Sequence, residues 1–334
     1  MKYRRLGNSE LQVSEICLGS WLTFGSGIAD EQAIACVERA FEAGINFIDT
    51  ANVYGRGAAE SFLGRVLKDR SRDSYVLATK VYFPMTSQDS GLSRKQILKQ
   101  LDASLARLET DYIDLYQCHR YDDKTPLEET MHALSDVVAA GKVRYIGFSE
   151  WPVDKIGAAQ EMTGIERFVS SQPKYSMVQR DIEEDVIAYC SANGIGQIVW
   201  SPLAQGVLTG KYRSGQVPPK GSRVTDPKMG SFFPKDFLKP KAAAAIDGLT
   251  EVAAAAGLTM AQLALAWVLR QPNVSSAIIG ATRPEQVEEN AGAAGIVLSD
   301  ETLASIDTTL EPIIGHQPKR YRLGDLLRGA LKRE

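Results

Sequence analysis

Cysteine and histidine are scarce in this chain of 334 residues, which has four of the first and three of the second. Cys17, Cys36, Cys118 and Cys190 stand far apart, no CxxC pair occurs, and no histidine falls at a zinc-like interval. That pattern supports neither a disulfide framework nor a metal site, and the thiols read as reduced core residues in a reducing compartment. Charge of one sign is missing too: 38 basic residues face 41 acidic ones, for a net charge of -3. A balance so close to neutral creates no field that would gather nucleic acid or an anionic membrane, so any anion site must be local. The richest apolar segment, "AAAAIDGLTEVAAAAGLTMAQLALAWVL", carries Asp247 and Glu251 and is broken by glycines, unlike a spanning helix of ~20 apolar residues. The opening "MKYRRLGNSE" lacks the apolar core of ~7 to 15 residues that a secretory signal needs. Together these absences predict a soluble, cytoplasmic protein with no membrane insertion and no nucleic-acid partner.

What is present is a regular alternation. Hydrophobic content of 44% and charged content of 24% suit a large globular core. Eight short runs rich in Val, Ile and aromatics, "EICLGS", "NFIDTA", "YVLATKV", "YIDLYQCH", "VRYIGFS", "RFVSSQP", "QIVWSPLA" and "SAIIGAT", are separated by segments of helical period. In "DEQAIACVERAFEAG", Ala33, Val37, Ala40 and Phe41 share one stripe and Gly44 marks a stop. "SRKQILKQLDASLARLE" repeats the pattern with Ile97, Leu101, Leu105 and Leu108 behind Ser93 as N-cap. "PLEETMHALSDVVAAG" opens on Pro126, expected in the first helical turn, and closes on Gly141.

Strands separated by single helices imply parallel pairing through crossovers. An open dinucleotide-binding sheet would show GxGxxG directly after a strand, whereas "GIGQIV" precedes one and lacks the third glycine. The count of eight and the missing fingerprint favour an α/β fold of the (β/α)8 TIM barrel type, a single domain over 1–334 with a tail from about 315. "KYRRLGNSELQV" reads as an N-terminal β-hairpin closing the barrel floor. A long loop after strand 7, from Gly206 to Pro240, is rich in Gly, Pro, Lys and Ser and lacks periodicity.

In such a barrel the chemistry belongs to the carboxyl ends of the strands. There the chain places Asp49, Lys80, His119, Ser149, Gln172, Trp200 and Ser201, each ending an apolar run, with Tyr54 in the loop after the second strand. A phenol with a pKa near ~10 is a poor acid at neutral pH, and an adjacent ammonium makes its proton easier to release. Lys80 would do so for Tyr54, Asp49 would balance the buried ammonium, and His119 would hold the substrate oxygen or share the proton. A hydrolase or metalloenzyme using Asp49 and His119 would need a metal or a carboxylate pair, and the strand ends supply neither.

At these residues the chain resembles the aldo-keto reductase superfamily. "INFIDTANVYG", "VLATKV" and "DYIDLYQCHR" are similar to its Asp, Tyr, Lys and His segments, and the likeness runs through "GKVRYIGFSE", "SQPKYS", "WSPLAQGVLTGKY" and "IIGATRPEQVEEN". "GSWLTFG" and "DKTPLEET" are most similar to the branch of voltage-gated potassium channel β-subunits and their bacterial reductase relatives.

The resemblance implies NADP(H) as cofactor and reduction of aldehydes or ketones by hydride transfer, with Asp49, Tyr54, Lys80 and His119 catalytic. It also implies that Ser149 and Gln172 hold the nicotinamide carboxamide and that Trp200 stacks on the ring. Trp21, Ser201, Pro202, Leu203, Gln205 and Gly206 belong to the same cofactor site, and Lys211 and Arg223 close over it. Gly280, Thr282, Arg283, Gln286, Glu289 and Asn290 match the adenosine and 2′-phosphate site, where Pro284 opens a helix whose N-terminus favours an anion. Glu150 stands where many family members have asparagine, which leaves its contact to the cofactor open. The second reading is a cofactor-binding regulatory subunit of a membrane channel with weak reductase activity, against which the full tetrad counts. Family members range from monomers to larger rings, so a homo-oligomer is compatible with the resemblance. Trp21, Phe24, Tyr82, Phe83, Arg120, Tyr121, Trp151 and the long loop are the expected walls for a small carbonyl substrate, with Arg120 a candidate anchor for an acidic group.

Overall fold

A computed structural model of the chain describes residues 1–25, 27–226 and 230–314; the expected tail from 315 lies outside them. An antiparallel hairpin, β1 (Tyr3–Arg5) and β2 (Gln12–Ser14), precedes eight parallel strands. These are β3 (Ile16–Gly19), β4 (Phe47–Asp49), β5 (Val76–Val81), β6 (Ile113–Cys118), β7 (Val143–Phe148), β8 (Phe168–Ser171), β9 (Gly196–Val199) and β10 (Val274–Ile279). Each pairs with the next, and β10 pairs back onto β3 to close the barrel. Every one of the eight apolar runs supplies one strand. Around them lie α1 (Asp30–Glu42), α2 (Ala58–Leu67), α3 (Arg94–Leu108), α4 (Leu127–Ala139), α5 (Val153–Glu161), α6 (Ala188–Ala192), α7 (Pro240–Ala255), α8 (Met260–Leu269), α9 (Pro284–Ala291) and α10 (Asp300–Ile314).

Local chemistry sets the helix ends. The Ser93 hydroxyl accepts from the Gln96 N–H and caps α3, which buries Ile97, Leu101 and Leu108. Gly44 takes a φ of 80°, ending the stripe of α1 that buries Ala33, Cys36, Val37 and Ala40. Pro126 differs from expectation: its ψ of 134° is extended, so α4 begins one residue later and the proline closes the loop before it. The alanine-rich run becomes α7 and α8, bent by 86°. Thr259 and Gln262 form a capping box at the start of α8. Among the described residues no single helix is long and apolar enough to cross a membrane.

Alternation along the strands divides the barrel into a greasy floor and a polar mouth. On β5, Val76 and Ala78 belong to an inner cluster with Leu115 of β6 and Phe47 of β4, while Leu77 and Val81 face the helices. Two residues further up the same inner face stand Lys80, Gln117 and Asp49, all buried. On the outer face, Thr79 donates to buried Glu60 of α2 at 2.5 Å, and Arg107 of α3 donates to the same carboxylate at 2.7 Å. That bridge ties strand to helix layer without entering the interior.

The hairpin seals the floor. Leu6, Leu11 and Val13 join the inner cluster, and Asn8 N–H donates to the Gly194 carbonyl at 2.8 Å. Gly7 makes the turn at a φ of 52°, and a Cβ there would meet the Val169 carbonyl oxygen at 2.3 Å and the Gly194 oxygen at 2.6 Å. Both contacts are backbone, so no side chain can swing aside. Gly7→Ala is expected to destabilise the fold by about 1–3 kcal/mol through strain and overpacking, read as a lower denaturation midpoint. An unchanged midpoint would mean that the hairpin does not depend on this close approach.

Candidate active site

The polar residues singled out from the sequence meet at one rim. Gly19 and Asp49 end β3 and β4; His119, Ser149, Gln172, Trp200 and Gly280 each follow the last residue of β6, β7, β8, β9 and β10. Left-handed backbone at non-glycine positions gathers in the same loops: Leu22, Arg56, Glu150, Ser201, Ala204 and Gln205 have φ between 46° and 63°. Such conformations are costly and persist where surrounding contacts enforce them, commonly at functional sites.

Lys80 lies at the centre, with no exposed surface. Its Nζ donates to Asp49 Oδ1 at 2.5 Å, to the Thr50 carbonyl oxygen at 2.7 Å and to the Tyr54 hydroxyl at 3.3 Å. Burial alone would lower its pKa, but the Asp49 carboxylate and the Tyr54 oxygen outweigh that and leave it above the ordinary value. The group is an ammonium. Asp49 is held in turn by amides: its Oδ2 accepts from Gln172 Nε2 at 2.9 Å and Gln117 Nε2 at 3.3 Å.

Tyr54 departs from the simplest expectation. Burial raises its pKa more than Lys80 lowers it, and Asp49 adds to the rise, so the phenol sits above its ordinary value and keeps its proton. Its ring packs edge-on against His119, centroids 5.7 Å apart. Burial, then Lys80 and Arg120, push the His119 imidazole well below its ordinary value, and it is neutral at physiological pH. Its Nδ1 is buried without a partner among the described residues. A neutral ring so placed can donate or accept a hydrogen bond but carries no spare proton to share.

Ser149 Oγ donates to the Gln172 carbonyl oxygen at 2.8 Å, tying the ends of β7 and β8 together. Glu150 braces the rim: its Oε1 accepts from Lys174 N–H at 2.7 Å and from Trp200 Nε1 at 3.1 Å. The indole at the end of β9 is thus fixed by a carboxylate from the end of β7.

From this cluster a cavity of about 500 Å³ runs across the barrel mouth to the start of α9. It is lined by Trp21, Asp49, Tyr54, His119, Arg120, Ser149, Gln172 and Trp200 at one end. Ser201, Pro202, Leu203, Gln205, Gly206, Lys211 and Arg223 follow, and Gly280, Thr282, Arg283, Gln286, Glu289 and Asn290 stand at the other end. All the cofactor-site residues expected from the sequence therefore border one continuous space. Lys80 lies beneath it.

Burial lowers Lys211, and Arg223 and Arg283 lower it further, so three cations crowd together. Pro284 occupies the first position of α9, with Arg283 as N-cap. Such a cluster beside a helix N-terminus suits a phosphate group.

The structure adds Gly19, Ile278 and the loop stretch 219–222 to the lining. Gly19 ends β3 and Ile278 lies one residue short of the end of β10, so both were open to the same rule; 219–222 has no periodicity to flag it. Of the expected walls, Trp21, Arg120 and part of the long loop border the cavity, whereas Phe24, Phe83 and Trp151 are buried and Tyr82 and Tyr121 pack half-buried against the core. Phe24 packs on Phe62 at 5.2 Å, and Trp151 is enclosed by Tyr121, Phe148 and Phe168, both side chains 2% exposed. Phe24 turns toward α2 and Trp151 toward the strand residues Phe148 and Phe168, contacts that local sequence does not encode.

The pattern of the aldo/keto reductase family matches residues 15–311. A probable voltage-gated potassium channel subunit beta of Oryza sativa subsp. japonica is 37% identical over 329 residues, spanning 96% of this chain and 98% of that protein. Its counterpart in Arabidopsis thaliana is 38% identical over 330 residues, with the same coverage. A putative subunit beta of Schizosaccharomyces pombe is 38% identical over 323 residues, spanning 92% of this chain and 93% of that protein. With a barrel of this topology and a match over nearly its whole length, the chain belongs to the aldo/keto reductase family.

Proposed function

We propose that the protein is an NADPH-dependent reductase of aldehydes and ketones. The observation that carries the reading is the hydrogen-bonded chain from Asp49 through Lys80 to the Tyr54 hydroxyl, set beside His119 at the head of a cavity whose far end is cationic. A bound NADPH would supply the hydride that adds to the carbonyl carbon. Trp200, braced by Glu150, would flank the nicotinamide, and Ser149 and Gln172 lie within the same lining to hold its carboxamide. Lys211, Arg223 and Arg283 would hold its phosphates, and Arg283 at the N-cap of α9 supports a 2′-phosphate and so NADPH over NADH.

The phenol of Tyr54 remains protonated until the substrate oxygen gains charge, then donates to it. Lys80, a permanent ammonium 3.3 Å away, stabilises the phenolate that results, and Asp49 keeps that ammonium charged and in place. His119, neutral, orients the carbonyl by a hydrogen bond.

The kinship to proteins named as potassium channel subunits supports a second reading, a cofactor-loaded partner of a membrane channel. Co-purification with a voltage-gated potassium channel from native membranes would favour it, and failure to associate with any such channel would count against it.

Tyr54→Phe is expected to lower carbonyl reduction by about 10²–10⁴-fold, the range of general acid catalysis, with NADPH affinity nearly unchanged in a fluorescence titration. Lys80→Met should abolish turnover and cost about 3–5 kcal/mol of stability by leaving Asp49 buried and unpaired. Adding Asp49→Asn should recover much of the stability without turnover; near-normal reduction by either variant refutes the assigned roles. Arg283→Ala should weaken NADPH binding about tenfold more than NADH binding.

His119 also makes stability depend on pH. Its folded pKa is depressed, so below about pH 6.5 the unfolded chain takes up a proton that the fold refuses. Stability is therefore full above that pH and declines below it by up to about 1.4 kcal/mol per unit. Between pH 7.5 and 5 the melting temperature of the parent should fall further than that of His119→Gln; equal falls would mean that the imidazole is charged in the fold.

A further inference from the structure

Arg120 follows His119 at the end of β6 and lines the same cavity. Its Nη1 donates to the His119 carbonyl oxygen and, at 3.2 Å, to Ser149 Oγ. The guanidinium lies over the Phe83 ring, 5.4 Å from its centroid, and that ring meets His119 edge-on at 4.8 Å. Arg120 is thereby held beside the imidazole and close enough to Tyr54 to act on its charge.

Among the described residues no carboxylate stands within ion-pair distance of this guanidinium, and its hydrogen bonds all leave from Nη1. Glu150 acts on it electrostatically, but the Glu150 Oε1 is engaged by Lys174 N–H and Trp200 Nε1. Burial depresses the Arg120 pKa more than Glu150 restores it, although an arginine stays charged regardless. A half-buried cation with no carboxylate paired directly to it is costly to fold, and its planar fork matches an oxyanion held by two parallel bonds.

Resting on the reductase reading, we propose that Arg120 anchors the substrate, and that the substrates are aldehydes or ketones carrying a carboxylate beside or beyond the carbonyl. A carboxylate fits better than a phosphate, because one guanidinium offers one fork, while the cluster of several cations lies at the other end of the cavity. The carboxylate is a handle and is not consumed. Hydride from NADPH and the Tyr54 proton convert the carbonyl to a hydroxyl, leaving a hydroxy acid and NADP⁺.

The test compares 4-carboxybenzaldehyde with its neutral isostere 4-formylbenzamide, both with NADPH. The parent should favour the carboxylate by about tenfold or more in kcat/KM, chiefly through KM, the size expected of one charge-assisted pair. Arg120→Gln should collapse that ratio toward one, and Arg120→Lys, which keeps the charge without the fork, should retain part of it. A ratio near one in the parent, or equal losses on both aldehydes in Arg120→Gln, overturns the proposal. If the parent reduces neither aldehyde, the reductase reading fails separately, and calorimetric binding of benzoate in the presence of NADP⁺ decides the anchor. Saturable binding that disappears in Arg120→Gln supports it, and absence of binding to the parent overturns it.

Discussion

A single positive charge placed inside the barrel organises everything around it. Lys80 has no contact with solvent, so its ammonium persists because Asp49, the Thr50 carbonyl and the Tyr54 hydroxyl surround it. Each of those partners needs its own support. Asp49 draws Gln172 and Gln117 inward from the end of β8 and from β6, and directly beyond Tyr54 the chain turns through left-handed Gly55 and Arg56 toward α2. The charge also acts at a distance, since it is one reason why His119 stays neutral.

The barrel accommodates this charge by stratification. Inward residues near the floor are apolar and close-packed, and the polarity rises over two residues along each strand, from Ala78 to Lys80 and from Leu115 to Gln117. Apolar packing below restricts where the polar groups can move, and polar bonds above restrict one another. The outer face carries its own buried carboxylates, Glu60 and Asp114, each paired to arginines, so the two charged networks are insulated from each other by the strand backbones.

How much of this could be read in advance follows from range. The eight strands were legible because each is a short apolar run between helical stretches, Asp49, Lys80 and His119 because they break those runs near their carboxyl ends, and Tyr54 because it follows one of them within five residues. Asp49 and Lys80 are 31 residues apart, yet both were visible as polar residues closing apolar segments. What stayed hidden depends on contacts between distant loops. Gln172 bonds Asp49 across 123 residues, and Glu150 reaches the Trp200 indole across 50. Neither partnership leaves a local trace. Whether an aromatic such as Trp151 lines a cavity or fills the core is decided by the direction in which its loop folds, and the net rise of the Tyr54 pKa by how deeply the ring is enclosed. The residues at the far end of the cavity became nameable through family likeness, since an arginine before a helix is common and in isolation says little.

The hairpin under the barrel has a consequence for traffic. With Leu6, Leu11 and Val13 set into the floor and the inner cluster packed above them, the cavity at the mouth is closed from below among the described residues. Asp49, Tyr54 and His119 line one end of that cavity, and the cationic groove leads away from them over the rim. Whatever enters from the mouth must displace water toward that same side, because the packed floor offers it no way through.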